Sequence, residues 1–151
     1  MEIHDTLAFL IGSWHVERSI DDRHSATTGT FVGASRLVPI ASLTAHGVVQ
    51  RATYEERGEL QLGDHAGSAR RGLEYRRKQD GSVALYFLDG RHFIDLDLSS
   101  GRCEGAHHCA PDIYSIEFVA SSMHRYTEHW RVVGPDKDYE ALTVYSRVSG
   151  D

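Results

Sequence analysis

The sequence predicts an all-β fold, a single antiparallel up-and-down barrel of about eight to ten strands with a short N-terminal helix. Short runs rich in β-branched and aromatic residues follow one another, with turn signals at close spacing between them. Helical periodicity is not found after Gly12. Such short links join neighbouring strands in an antiparallel arrangement, which leaves two architectures, a sandwich or a closed barrel. We favour the barrel, because a closed sheet has no exposed edge strands. The length of 151 residues suits one domain, 1–151.

The helix is predicted at the very start of the chain. Asp5 or Thr6 has the side chain needed to cap its first turn. Gly12 is placed to end it, because glycine is the residue that most often follows a helix. The apolar residues of this segment fall on one side of the turn: Leu7, Leu10 and Ile11.

The strands follow in order, and two hairpin turns are marked clearly. Asp80-Gly81 and Asp89-Gly90 suit a type I′ turn, which needs positive φ at its central residues. Both faces of the middle strands are partly apolar, so alternation does not fix which side chains face the barrel interior. The predicted strands are residues 13–22, 29–38, 47–62, 68–79, 82–88, 92–98, 104–109, 113–120, 124–133 and 139–147.

Composition and charge exclude several function classes. Apolar residues make up 40% and charged residues 25% of the chain, which is a globular composition. The formal charge of −6, from 16 basic and 22 acidic residues, argues against a surface that follows nucleic-acid phosphates. The basic residues between Arg70 and Lys78 do not form a stripe, because a strand divides them between two faces. We therefore expect no nucleic-acid partner.

The start of the chain and the two cysteines predict a cytoplasmic protein without a membrane partner. The first residues lack a positive n-region, and the apolar run 7–11 is too short for a signal peptide or a membrane span. Cys103 and Cys109 are six residues apart. On one extended strand they would be about 20 Å apart, beyond the reach of a disulfide. Free thiols fit a reducing compartment.

The first predicted strand begins with a motif that resembles a known superfamily. Gly12-Ser13-Trp14 is similar to the Gly-x-Trp signature of lipocalins and related calycins. In those barrels the Trp closes one end and an Arg near the end of the last strand packs over it. The resemblance therefore implies a calycin-like barrel in which Arg147 stacks on Trp14, a cation–π contact worth about 1 kcal/mol.

A wider resemblance covers nearly the whole chain. In order and spacing, five segments resemble a bacterial family classified as a domain of unknown function: GSW at 12–14, YEERG at 54–58, YFLDGR at 86–91, HHCAPDIY at 107–114 and WRVVGPDKDY at 130–139. This likeness implies a fold and no activity. The scaffold also resembles nitrobindin-like and fatty-acid-binding barrels, in which a central cavity holds haem or an acyl chain.

One candidate site is a polar set on two of the predicted strands. Tyr54 and Glu56 face the same way, so Glu56 could lie inside the barrel. A buried carboxylate must be paired or protonated, and Arg18, on the same strand face as Trp14, is a suitable partner. This set could hold the polar head of a ligand or act on it as acid or base. Cross-strand salt bridges on a solvated face are the alternative.

A second candidate is the densest group of reactive side chains. His107 and Cys109 share one strand face, and Asp112 and Tyr114 follow them. Imidazole and thiolate are two potential metal ligands, with Asp112, His92 or His129 available to complete a set. Cys109 could also be a nucleophile activated by imidazole. The alternative is a structural turn with a small buried thiol and Asp112 as a backbone cap.

Three functions are compatible with these candidates. The first is a barrel that binds a small organic ligand through Arg18, Tyr54, Tyr114, Trp130 and His129. The second is an enzyme of isomerisation, cyclisation or hydrolysis that uses His107, Cys109, Asp112 and Glu56 as catalytic residues. The third is a haem or metal barrel with His107 or His129 as ligand. No specific cofactor is indicated, and a homodimer remains open.

Overall fold

Ten strands form one antiparallel sheet that curls into a nearly closed barrel, in the order β8-β7-β6-β5-β2-β1-β12-β11-β10-β9. The structure is a computed structural model, and it describes residues 1–149; Gly150 and Asp151, part of the predicted domain, lie outside the described residues. The helix α1 is Thr6–Leu10, and the strands are β1 Gly12–Asp22, β2 Thr27–Pro39, β3 Thr44–Ala45, β4 Val48–Val49, β5 Arg51–Leu62, β6 His65–Arg77, β7 Val83–Phe87, β8 His92–Leu96, β9 Arg102–Cys109, β10 Asp112–Ser122, β11 Arg125–Gly134 and β12 Lys137–Arg147.

The predicted fold class is confirmed. Sequential strands pair through short turns, and Gly81 and Gly90 take the positive φ that their hairpins require, +87° and +91°. The first and last long strands, β1 and β12, are neighbours in the middle of the sheet and pair antiparallel from Trp14–Arg147 to Asp22–Tyr139. The two edge strands, β8 and β9, approach one another, and the Asp97 N–H beyond β8 donates to Cys103 Sγ at 3.4 Å.

One predicted strand differs from the structure. Residues 47–62 are divided into β4 and β5, and a 3₁₀ helix, Ala41–Leu43, precedes β3. The segment folds back on itself because the Gln50 N–H donates to Leu43 O (3.2 Å) and the Ile40 N–H donates to Arg51 O (2.9 Å). β3 and β4 then pair as a separate small hairpin. This excursion lies outside the ten-stranded sheet.

The end of the barrel next to α1 is filled. Asp5 caps the helix by accepting the Ala8 N–H at 3.0 Å, as predicted. Trp14 is 1% exposed, and its indole N–H donates to Leu10 O at 2.9 Å. The rings of Phe9 and Tyr126 pack edge-on against it, with centroids 5.8 Å and 4.8 Å away. We call this end the closed end.

Arg147 completes the closed end in the way the resemblance implies. Its guanidinium carbon lies 4.1 Å from the centre of the Trp14 ring. It donates hydrogen bonds to Ile11 O (3.0 Å), Phe9 O (2.7 Å) and Met123 O (3.0 Å). Two of these carbonyls belong to the end of α1, where a helix leaves its last acceptors without partners. The arginine therefore joins the helix to the barrel.

Candidate ligand-binding pocket

A cavity of about 470 Å³ occupies the other end of the barrel, which we call the open end. Ile20, six residues beyond Trp14 on β1, lies in its wall. The cavity is therefore at the end of β1 opposite to Trp14 and the closed end. Eight strands and the β7–β8 hairpin turn supply its lining: Arg18, Ile20, Arg71, Gly72, Leu73, Phe87, Arg91, Phe93, His107, Cys109, Tyr114, Glu128, Trp130, Tyr139 and Ala141.

The wall of the pocket is shortest between β6 and β9. The ladder between β6 and β7 spans residues 73–77, although β6 begins at His65. The β7–β8 hairpin is therefore shorter than its neighbours, and its turn lies beside the cavity. Phe87 and Arg91 of this hairpin and His107 of β9 line the cavity there. The pocket is least enclosed on this side.

Aromatic rings form one wall of the pocket. Phe93 and Trp130 are stacked, with centroids 5.0 Å apart and planes inclined by 17°. Phe87 lies next to Phe93 at 4.7 Å. His107 meets the Phe93 ring edge-on at 5.4 Å and the Tyr114 ring at 5.8 Å. The pocket therefore has an aromatic wall, against which an aromatic molecule can pack.

The predicted pair of Arg18 and Glu56 forms the base of the pocket, with Arg18 in the lining and Glu56 directly beneath it. The Arg18 guanidinium donates to both carboxylate oxygens of Glu56, at 3.0 Å and 2.7 Å. Its Nε donates to Thr143 Oγ1 at 2.7 Å. The side chains are only 13% and 3% exposed. The alternative of salt bridges on a solvated face is therefore wrong for this pair.

A second carboxylate, Glu128, lies on the same level of the barrel. Its Oε2 accepts the Tyr145 hydroxyl at 3.0 Å, and its Oε1 accepts the Trp130 indole N–H. Tyr54 joins the two carboxylates, because its hydroxyl donates to Glu56 Oε1 at 2.8 Å and lies 3.3 Å from the Tyr145 hydroxyl. This polar layer separates the pocket from the closed end.

The polar layer shifts the pKa values of its members. Burial opposes the ionisation of Glu56, but the hydrogen bonds and positive charges of Arg18 and Arg71 outweigh it, and the carboxyl pKa falls below its usual value. Burial raises the pKa of Tyr54 to about 12. Glu56 is therefore ionised and Tyr54 neutral at physiological pH. The carboxylate is an acceptor, and the phenol a donor.

Arg71 is the remaining charged residue of the floor. Its Nη2 lies 3.5 Å from Glu56 Oε1 and 3.7 Å from Glu128 Oε1. Its guanidinium carbon is 5.7 Å from the centre of the Tyr54 ring. The two arginines and two glutamates of the floor balance in formal charge.

The predicted residues of the His107 group are only partly brought together. His107, Cys109 and Tyr114 line the pocket. The Asp112 carboxylate instead forms an ion pair with Lys137 Nζ at 2.9 Å, and Lys137 also donates to the Tyr114 hydroxyl at 3.4 Å. Across residues 1–149, no three His, Cys, Asp or Glu side chains are close enough to hold a metal ion.

Two predicted ligand-binding residues lie elsewhere. His129 is on the outer face of β11, where its Nε2 is 3.4 Å from Glu140 and its side chain is 44% exposed. Adjacent strand residues point to opposite faces, so His129 and Trp130 could not both line the pocket, and the assignment of His129 is wrong. Tyr54 lies beneath the floor, bonded to Glu56, rather than in the pocket wall.

Several pocket residues were missed by sequence reasoning. Glu128 could have been found, since it shares its strand face with Trp130. Arg71 was noted only as part of a basic segment, although Arg70 is exposed and Arg71 points inward. The remaining lining residues come from five strands and one turn and share no sequence spacing: Ile20, Gly72, Leu73, Phe87, Arg91, Phe93, Tyr139 and Ala141.

The fold and the closed end define this protein as a calycin-like antiparallel β-barrel. Residues 10–147 match the model of a family of unknown function, DUF6314, and the chain belongs to that family. The resemblance to a domain of unknown function is thereby confirmed. Comparison with curated proteins returns no match.

One solved structure shows the same architecture. The S-type phycobiliprotein lyase CPES from Guillardia theta is similar with a TM-score of 0.56 and 8% identity, covering 100% of this chain and 95% of the lyase. A redesigned β-barrel, mFAP0, bound to DFHBI, has a TM-score of 0.48 and 12% identity over 92% of this chain and 99% of its own.

Within residues 1–149 no helix is long and apolar enough to span a membrane.

Proposed function

We propose that this protein binds a planar small organic molecule in the pocket at the open end. The observation that carries the proposal is a cavity of about 470 Å³ with a wall of stacked Phe93 and Trp130 rings. Cavities for small organic ligands measure about 300–1,000 Å³ and combine apolar walls with a few oriented polar groups. The aromatic wall above a layer of paired charges has this character.

Binding fits the geometry better than catalysis by the predicted residues. Of the four proposed catalytic side chains, His107 and Cys109 line the pocket. Glu56 lies beneath the floor, held by Arg18, and Asp112 is paired with Lys137. The four groups therefore do not converge on one reacting atom. The likeness to the lyase supports the barrel and leaves the ligand to be inferred from the pocket.

A fluorescent titration tests the proposal. Phenylnaphthylamine is a neutral, planar, apolar dye, and we expect saturable binding at one site per chain. Ile20→Trp adds a ring to the pocket wall and should weaken binding about tenfold or more, because the volume that the dye needs is filled. Val32→Trp is the matched control, since Val32 is 49% exposed on the outer face.

The two variants separate pocket binding from adhesion to the surface. We expect Val32→Trp to bind the dye as the unmodified protein does. Equal weakening in both variants, or no saturable binding to the unmodified protein, would contradict the proposed function. Circular dichroism and thermal unfolding show that each variant is folded before its titration is interpreted.

A further inference from the structure

We propose that Arg71 binds an anionic oxygen group of the pocket's ligand, so that the ligand class is an aromatic acid. This inference rests on the proposed function and specifies its ligand. It comes from the unequal hydrogen bonding of the two arginines in the pocket floor.

The charged neighbours of Arg71 already have close partners. Arg18 uses Nε, Nη1 and Nη2 on Thr143 and Glu56, at distances of 2.7–3.0 Å. Glu56 also accepts the Tyr54 hydroxyl at 2.8 Å. Glu128 accepts the Tyr145 hydroxyl and the Trp130 indole. These groups are therefore occupied before a ligand enters.

Arg71 keeps hydrogen-bond donors to spare. A guanidinium has five N–H donors and no acceptor. Among the described residues, the buried Nε of Arg71 has no hydrogen-bond partner, and the contacts of Nη2 with the two carboxylates are long, at 3.5 Å and 3.7 Å. A buried donor without a partner is unfavourable. A carboxylate in the pocket would give the exposed part of this guanidinium a close anionic partner, which it lacks among the described residues.

The accessible charge of the floor is positive. The Arg71 side chain is 32% exposed, whereas those of Glu56 and Glu128 are 3% and 5% exposed. The Arg18 side chain is 13% exposed. A ligand that reaches the floor therefore meets the Arg71 guanidinium before either carboxylate. Arg91 also lines the pocket, but its guanidinium is paired with Asp89 at 2.8 Å, so Arg71 is the main cation of the floor that a ligand can reach.

The shape of the pocket selects a flat acid. Arg71 belongs to the floor, and the Phe93–Trp130 stack forms the adjacent wall, both within one cavity. A planar ring can stack on this wall while a substituent points to the floor. Arginine binds carboxylates through two parallel N–H donors, which favours an oxygen anion with two acceptors.

A competition experiment with two matched molecules tests the inference. Naphthoate and naphthamide have nearly the same shape, and only naphthoate is charged. Each is titrated against bound phenylnaphthylamine at pH 7. We expect naphthoate to displace the dye at about tenfold lower concentration than naphthamide, as a charge-assisted pair of hydrogen bonds would produce.

Arg71→Gln is the decisive variant, and Arg70→Gln is its control. Arg70 is the neighbouring residue on β6 and is exposed, so its substitution changes the net charge equally without touching the pocket. We expect Arg71→Gln to abolish the preference for naphthoate and Arg70→Gln to keep it. If Arg71→Gln does not fold, Arg71→Lys replaces it and should reduce the preference, because lysine is a single point charge.

The outcomes separate this inference from the proposed function. Equal displacement by both molecules, or a preference that survives in the Arg71 variant, overturns the role of Arg71 while dye binding stands. If phenylnaphthylamine fails to bind the unmodified protein, the proposed function is overturned and the inference with it.

Discussion

The two ends of the barrel use similar side chains to opposite effect. At each end an arginine lies near a tryptophan and other aromatic rings. At the closed end Arg147 donates to three backbone carbonyls, and Trp14 is 1% exposed. At the open end the Nε of Arg71 has no partner among residues 1–149, and Trp130 borders a cavity.

The difference lies in what completes the packing. At the closed end the helix α1 supplies both apolar side chains and backbone acceptors, so the arginine and the tryptophan are satisfied within the chain. Within the described part of the chain no helix covers the open end, and the β7–β8 hairpin makes its wall short on one side. The closed end therefore contributes to the stability of the barrel, whereas the open end keeps a cavity and hydrogen-bond donors for a ligand.

The largest effect is expected from the two tryptophans of the sequence, one at each end. Trp14→Ala should lower the free energy of unfolding by about 3–5 kcal/mol, because it leaves a cavity in a packed core. Trp130→Ala should cost about 1–2 kcal/mol, because its ring is only partly buried. Urea unfolding at pH 7 measures both. A larger loss for Trp130→Ala would reverse the assignment of roles.

A smaller effect is expected in the polar layer between the ends. Glu56→Gln should cost about 2–3 kcal/mol at pH 7, because it removes the charge that pairs with buried Arg18. Glu55→Gln, at the exposed neighbouring position, is the matched control and should change stability by less than about 0.5 kcal/mol. Urea unfolding of both variants provides the comparison.

The cost of Glu56→Gln should depend on pH in a defined direction. Because the pKa of folded Glu56 lies below its usual value of 4.5, the stability it contributes is fully present above about pH 4.5. It is lost as the pH falls through the lower folded pKa. The difference between the unmodified protein and the variant should therefore shrink below pH 4.5. A difference that stays constant from pH 7 to pH 3 would contradict the ion pair.

Much of the fold could be predicted from the sequence because its signals are local. Asp80-Gly81 and Asp89-Gly90 suit the positive φ angles of tight hairpin turns. These turns therefore show where the neighbouring strands begin and end. The hairpin of β3 and β4 was missed because it depends on backbone bonds within residues 40–51, without side-chain alternation. The excursion is local as well, but its backbone bonds leave no pattern in the side chains that the sequence could show.

The pocket was harder to predict because it depends on which strand faces meet. Arg18 and Glu56 were paired correctly, since a buried carboxylate needs a partner and Arg18 shares the Trp14 face. Arg71 becomes a pocket residue only through the register of β6 with its neighbours, whereas Glu128 follows from the strand face it shares with Trp130. The cytoplasmic location and the absence of nucleic-acid and membrane partners stay predictions.

The contrast between the ends is tested most directly by the two indole N–H signals in a nitrogen–proton correlation spectrum. Each signal is assigned with Trp14→Phe and Trp130→Phe, and the unmodified protein is then titrated with phenylnaphthylamine. We expect the Trp130 signal to shift to saturation, because Trp130 lines the cavity, while that of buried Trp14 stays in place. Saturable shifts of the Trp14 signal, with Trp130 unmoved, would contradict ligand binding at the open end.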